Sequence, residues 1–375
     1  MTEIHKGLIG VVADQSAVSH VFEESNQLTY YGYSVNELAE HCVFEEVAYL
    51  LWHKELPNAA QLSEFQKIER ENRSLSQGML QLIPQLSKTA HPMDKLRSLI
   101  SLQGVEQAAE IPPAKGFTPE LTLKYGMKML ATIPLMVAAI WRAEKGLPII
   151  EPRHDLGLAE NFFHCCFGKV PEPEIIRCFE TSLTLYAEHG FNASTFTARV
   201  IASSLSDVYG SITGAIASLK GPLHGGANEA VMHMMLEIGT PAQASAWLSD
   251  ALEKKKLIFG FGHRVYKDGD TRVPIMKQAL EKVSALRPGQ PWLEIYDVLA
   301  AYMLEHKNIH PNLDFPAGPA YYMMGFDIPI YTPIFVISRI TGWVAHYLEQ
   351  MQHGNKLIRP LSVYNGVAQR VVPQK

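Results

Sequence analysis

Cysteine is scarce in this chain: four in 375 residues, at Cys42, Cys165, Cys166 and Cys178. None of them forms a C-x-x-C pair, which argues against a zinc site or a dithiol motif. A chain this long buries enough core to need no disulfide framework, so buried free thiols in a reducing cytosol are expected. Charge is modest as well. Charged residues make up 19% and the formal net charge is −5. No overall basic field points to nucleic acid or an anionic membrane. The first ten residues, M-T-E-I-H-K-G-L-I-G, lack the features of a signal peptide, and no apolar run reads as long enough to span a bilayer. A cytoplasmic location is expected. His41-Cys42, His91, His154 and His233 fall into no H-E-x-x-H or similar pattern, so no metal site is argued.

What the chain does have is apolar periodicity. Hydrophobic residues make up 47%, and the length suits two domains. Ala227, Ala230, Val231, Met234, Met235 and Ile238 recur at i, i+3, i+4, i+7, i+8 and i+11, closed by Gly239 and Pro241. That is one apolar helix face with a stop signal. Residues 44–56, 119–145, 174–190, 274–286, 292–306 and 333–352 repeat the pattern, and Pro134 predicts a kink. Strand signals are confined to Val11–Ala13 and Leu28–Tyr31. The expected fold class is all-α with minor β at the amino terminus. Segment 193–219 is rich in Ala, Ser, Thr and Gly, which lets helix axes approach closely. It reads either as a central helix of one subunit or as a subunit interface.

Three loops expose titratable groups among glycine and proline: G-P-L-H-G-G-A-N-E at 221–229, G-F-G-H-R-V-Y-K at 260–267 and H-P-N-L-D-F-P-A-G at 310–318. Two histidines and a carboxylate on loops between apolar helices point to general acid/base chemistry. His224 stands just before a helix, whose positive end keeps an imidazole neutral and able to donate an N–H to a carbonyl. His263 is followed by Arg264, Lys267 and Arg272, a cluster suited to a substrate with several negative charges. The second loop lacks the third glycine and preceding strand of a dinucleotide motif. Asp314 lies between Leu313 and Phe315, and apolar neighbours raise a carboxylate's pKa toward that of a useful base. His189, at a helix end in Y-A-E-H-G-F-N, is expected to favour its charged form. Arg339, inside an apolar helix, needs an anionic partner. Lys307 is read as either a surface residue or a phosphate contact.

These loops, in this order, resemble the three active-site loops of the citrate synthase family. The resemblance runs from L-T-Y-Y-G-Y-S at 28–34 through H-P-M-D at 91–94 to R-P-L-S-V-Y-N-G at 359–366. One difference is Tyr31, where many relatives carry Arg. Within the family, N-A-S-T-F-T-A-R-V at 192–200 resembles the short bacterial 2-methylcitrate synthases, with Phe196 and nearby small residues leaving room for a propionyl methyl group. The resemblance implies a homodimer with a large domain (1–225 and 326–375) and an inserted small domain (226–325). It implies a coenzyme A thioester as co-substrate and no tightly bound cofactor. Asp314 would be the base, His224 would hydrogen-bond the thioester carbonyl, and His263 would activate the oxaloacetate ketone. His189, Arg272 and Arg339, with Arg359 from the other subunit, match ligands of the dicarboxylate; Arg73 matches a further substrate position. Lys256, Leu257, Ile258, Phe259, Gly260, Lys267 and Lys307 fall where relatives hold coenzyme A. The alternatives are a synthase restricted to acetyl-CoA, a citryl-CoA lyase, and an inactive helical dimer serving as a scaffold.

Overall fold

The computed structural model describes residues 4–22, 24–108, 118–263, 265–266, 268–352 and 356–373. An antiparallel hairpin sheet comes first: β1 (Ser19–Phe22), β2 (Gln27–Tyr30) and β3 (Tyr33–Ser34), in that order. Leu28–Tyr30 is a strand, as its composition predicts. Val11–Ala13 is not: Val12 is 89% exposed, and a strand with neither partner nor packing gains nothing from its β-branched residues. Tyr31 occupies the β2–β3 turn, half-buried against the core.

Sixteen α-helices follow among the described residues. The first eight are α1 (Val35–His41), α2 (Phe44–His53), α3 (Ala59–Glu71), α4 (Gln77–Leu82), α5 (Pro92–Glu106), α6 (Pro119–Glu144), α7 (Leu158–Phe167) and α8 (Pro173–Tyr186). The rest are α9 (Ala193–Ser203), α10 (Val208–Leu219), α11 (Ala227–Ile238), α12 (Pro241–Glu253), α13 (Val273–Leu286), α14 (Trp292–Lys307), α15 (Asp314–Met323) and α16 (Tyr331–Gln352). Side chains of Asn58, Ser76, Thr118, Asn192 and Asp207 each accept from an amide in the first turn that follows, which fixes those helix starts. α6 runs uninterrupted through Pro134.

The centre of the fold is α16, buried from Tyr331 to Gln350 and packed on α6, α9, α2 and α8. Its stretch from 328 to 352, and α6, are long and apolar enough to cross a membrane by length and composition. This corrects the expectation of no such run. Burial of 94% and 83% of their most apolar windows, respectively, identifies both as core helices, because a buried helix is apolar all round.

The small-residue segment is two helices, not one. Leu205, at φ 66°, ends the first and Asp207 caps the second. α9 lies on α10 and α16, and α10 on α5. Gly214 permits that approach, since a Cβ there would sit 2.2 Å from Cδ1 of Ile201. Behind them runs a buried ionic network. Arg199 bonds Glu349 at 2.7 Å and Asp14 at 3.1 Å, and His346 bonds Glu188 at 2.8 Å. It ties the amino-terminal segment to α9 and α16.

Helices α11 to α15 pack largely on one another: α11 and α13 on α15, and α12 on α14. α13 also packs on α8. The loop between α12 and α13 carries His263, Asp314 is the first residue of α15, and the loop leading into α11 carries His224.

Candidate active site

Two of the three loops are laced together through their backbones. Gly262 N–H donates to His310 O and Asn312 N–H to Gly260 O, both at 2.9 Å. The Asn312 side chain donates to Gly262 O at 3.0 Å and accepts from Asp314 N–H at 3.1 Å. Gly260, at φ 83°, is the close-packing point: a Cβ there would lie 2.8 Å from Phe315 and Val231. Only glycine fits that conformation and that space. The lacing sets the segments that carry His263 and Asp314 side by side.

His224 is held from α9. Its Nε2 lies 3.2 Å from Ser194 N and 2.9 Å from Ser194 Oγ. A backbone N–H can only donate, so Nε2 accepts and the neutral ring carries its proton on Nδ1. Ser194 is itself fixed by Trp343 Nε1 at 3.1 Å and by Asn192 Oδ1 at 2.8 Å. Burial and the nearby Arg339 guanidinium pull His224 down to about 4. The neutral donor expected from the sequence is present, with its tautomer set.

His263 has the opposite tautomer. Its Nδ1 accepts from Val265 N–H at 3.0 Å, so the proton of the neutral ring is on Nε2. Burial, with Arg272, holds it at about 4. His189 and Tyr266 flank it, with ring centroids at 4.9 and 4.7 Å. Tyr266 Oη lies 2.9 Å from His189 Nε2. The charged state expected for His189 is overturned. α8 ends at Tyr186, three residues before it. Burial, then Arg272, His263 and Arg339, push it well below the ordinary imidazole value.

Arg272 is buried and paired in two-pronged fashion with Asp270, at 2.9 and 2.7 Å. Asp270 also accepts from Leu313 N–H at 3.3 Å. One carboxylate thus joins the arginine to the loop carrying Asp314. Burial raises Asp314 to about 6, opposed by a 2.7 Å hydrogen bond from the Tyr186 phenol and by Arg272.

Arg339 projects from α16. Its Nε donates to Tyr186 O at 2.7 Å, while Nη1 is buried with no partner among the described residues. A buried, unpaired guanidinium nitrogen costs free energy unless an anion meets it. Phe335, one turn earlier, packs at a tilt on Tyr186 (4.3 Å) and edge-on to His224 at 6.4 Å.

Arg73 is buried, held by Glu69 and by the carbonyls of Arg153 and Leu156 at 2.7 and 2.9 Å. Arg359 is exposed in the extended 356–373 segment, with no side-chain partner among the described residues. Lys256 is half-exposed near Glu237, Leu257 is exposed, and Ile258 is buried. Phe259 is partly buried, and Gly260 belongs to the lacing. Lys307 ends α14 and is exposed. Arg264 and Lys267 lie outside the described residues. Phe196 packs on Phe191 at 6.0 Å. Sequence reasoning missed Tyr186, Ser194, Tyr266 and Asp270. Only their closeness to His189, His224, His263 and Arg272, in sequence or in space, marks them.

A neutral N–H donor, a second of opposite tautomer, a raised carboxylate and buried arginines are groups that can carry out acid–base chemistry on the carbonyl of an anionic substrate. The comparisons agree. The family described as citrate synthase, C-terminal domain, matches residues 7–361. The chain is 55% identical to 2-methylcitrate synthase of Mycobacterium tuberculosis, over 99% of this chain and 93% of that one. It is 53% identical to citrate synthase of Mycolicibacterium smegmatis, over 98% and 96%. Its fold matches the ternary complex of carboxymethyl coenzyme A and oxaloacetate with citrate synthase from Thermoplasma acidophilum. That match has a TM-score of 0.92 and 32% identity, over 100% of this chain and 99% of that one. The chain belongs to the citrate synthase family. It is an acyl-transferring enzyme with the all-α fold of that family, and the coenzyme A thioester is its co-substrate.

Proposed function

We propose that this cleft joins propionyl-CoA or acetyl-CoA to oxaloacetate, giving 2-methylcitrate or citrate plus coenzyme A, with the following division of labour. Asp314 removes an α-proton from the acyl group while Nδ1–H of His224 hydrogen-bonds the thioester carbonyl. The enol carbon attacks the ketone of oxaloacetate. Nε2–H of His263 polarises that ketone and protonates the alkoxide as the carbon–carbon bond forms. Water then cleaves the thioester and releases the thiol. One observation carries this reading. Each histidine has its inner nitrogen occupied as an acceptor by a backbone N–H, so each offers an N–H rather than a lone pair to the cleft. Donors fixed before reaction stabilise developing oxyanion charge without reorganisation.

Arg272, His189 and the unpartnered Nη1 of Arg339 take the dicarboxylate, and Arg359 of the partner subunit completes that site in a homodimer. Lys256 to Gly260, with Lys267 and Lys307, line the approach of coenzyme A. Residues 226–325 form a small domain that closes on the large domain, 1–225 and 326–375, when oxaloacetate bridges them. The enzyme is cytoplasmic, in keeping with its four free, buried cysteines. A synthase restricted to acetyl-CoA is the second reading, favoured by the Mycolicibacterium smegmatis relative named citrate synthase.

Asp314→Asn tests the proposal. It keeps shape and removes the proton acceptor, so thiol release should fall by about 10²–10⁴ while oxaloacetate still binds by calorimetry. Near-normal turnover would remove Asp314 from the mechanism.

A further inference from the structure

The H-P-M-D motif at 91–94 has no part in the chemistry above, yet its two polar side chains reach the two ends of the His224 loop. His91 caps α5, and its Nδ1 accepts from Met93 N–H at 3.1 Å. The neutral ring therefore carries its proton on Nε2, which lies 3.1 Å from Glu229 Oε2. The other oxygen of Glu229 accepts from Thr332 N–H at 3.2 Å and from the Thr332 hydroxyl. That hydroxyl is also 3.3 Å from the carbonyl of Gly225, the residue after His224. At the other end, Asp94 Oδ2 bonds Lys220 Nζ at 2.6 Å, and Arg97 holds the opposite oxygen at 3.2 Å.

Lys220 directly precedes the loop, and Glu229 lies in the first turn of α11, where the loop ends. Their partners, His91 and Asp94, are the cap and first turn of one helix, α5. That helix is fixed by burial of Met93, Leu96, Leu99 and Ile100 and by packing on α10 and α6. Between the anchors the backbone is compact: His224 N–H bonds Gly221 O and Gly225 N–H bonds Leu219 O, both at 2.9 Å. Ser194 sets the ring of His224; the anchors set the main chain that carries it.

We propose that His91 and Asp94 are positioning residues that clamp the His224 loop through Glu229 and Lys220, holding Nδ1–H in line with the thioester carbonyl. This rests on the role given to His224 above. The Lys220–Asp94 pair is exposed, at 40% and 27%, and such pairs contribute little to stability. Breaking it should therefore disturb geometry without unfolding the chain.

The experiment uses Lys220→Met and Asp94→Asn, with Lys220→Arg as the conservative variant. Thiol release gives kcat, and calorimetry gives the oxaloacetate Kd. Lys220→Met and Asp94→Asn should each lower kcat by about ten- to hundredfold, the scale of a small misplacement of a catalytic group. The oxaloacetate Kd should stay within about twofold, because His224 faces the thioester and not the dicarboxylate. Lys220→Arg should restore most of the rate. Unchanged kcat in Lys220→Met overturns the proposal. So does a parallel loss of oxaloacetate affinity, which would mark a general disturbance, or a failure of arginine to rescue. A wild type that releases no thiol from oxaloacetate and acyl-CoA overturns the underlying reading itself.

Discussion

The phenol of Tyr186 donates a 2.7 Å hydrogen bond to Oδ1 of Asp314, the carboxylate that burial lifts to about 6. The two effects oppose each other. Desolvation favours the protonated acid, and the hydrogen bond favours the carboxylate. The outcome is a carboxylate that is ionised at neutral pH yet more basic than an exposed aspartate, the poise that suits the proton abstraction proposed for it.

Tyr186→Phe removes the hydrogen bond and leaves the burial and the Arg272 charge in place. Asp314 should then hold its proton to higher pH. The acid limb of kcat/KM, which reports the free enzyme, should move up from about 6 by roughly one unit. His224 and His263, at about 4, remain neutral throughout that range and contribute no limb there. A pH–rate profile of the variant checks this; an unmoved limb would free Asp314 from the influence of Tyr186.

Glu180 gives a stability prediction away from the cleft. Burial first, then the charge of Glu45, raises it to about 7, against the pull of Arg177. A carboxyl whose folded pKa is raised binds its proton more tightly folded than unfolded. Its contribution is therefore full below the unfolded value, near 4.5, and is lost as pH rises toward 7. Glu180→Gln should flatten that slope and stabilise the protein at pH 8, by about 1–3 kcal/mol. Thermal midpoints of both proteins from pH 5 to 8 measure it. Parallel curves would show that Glu180 ionises without strain.

How far the sequence carries follows from these residues. The helices were legible because α11 and α16 bury whole faces, and burial leaves a periodic trace. The three loops were legible because Gly and Pro mark them. Tyr186 was not, since it falls among the buried apolar residues of α8 and only the fold points its hydroxyl at Asp314. The charge state of His189 was misread because local helix geometry says nothing of Arg272 and Arg339, which arrive from distant segments. Val11–Ala13 misled because β propensity alone makes no strand without a partner.

Arg359 tests the assembly. It is exposed in the extended 356–373 segment, with no side-chain partner among the described residues. If it completes the neighbouring site, Arg359→Ala and His263→Ala proteins should each be inactive alone. Mixed under subunit exchange, they should regain activity, because one hybrid site keeps both residues. Exchange confirmed by mass without recovery would place Arg359 outside the partner's site.

One cleft should condense either propionyl-CoA or acetyl-CoA with oxaloacetate, and thiol release by the wild-type enzyme measures it. Oxaloacetate is supplied with propionyl-CoA in one series and acetyl-CoA in the other. One methylene in an apolar pocket is worth only about 1–3 kcal/mol, or 10–200-fold. Thiol should therefore appear with either thioester, only when oxaloacetate is present, and the two kcat/KM values should lie within that range. A kcat/KM for propionyl-CoA more than about 10³-fold below that for acetyl-CoA would contradict the account and mark an enzyme dedicated to citrate.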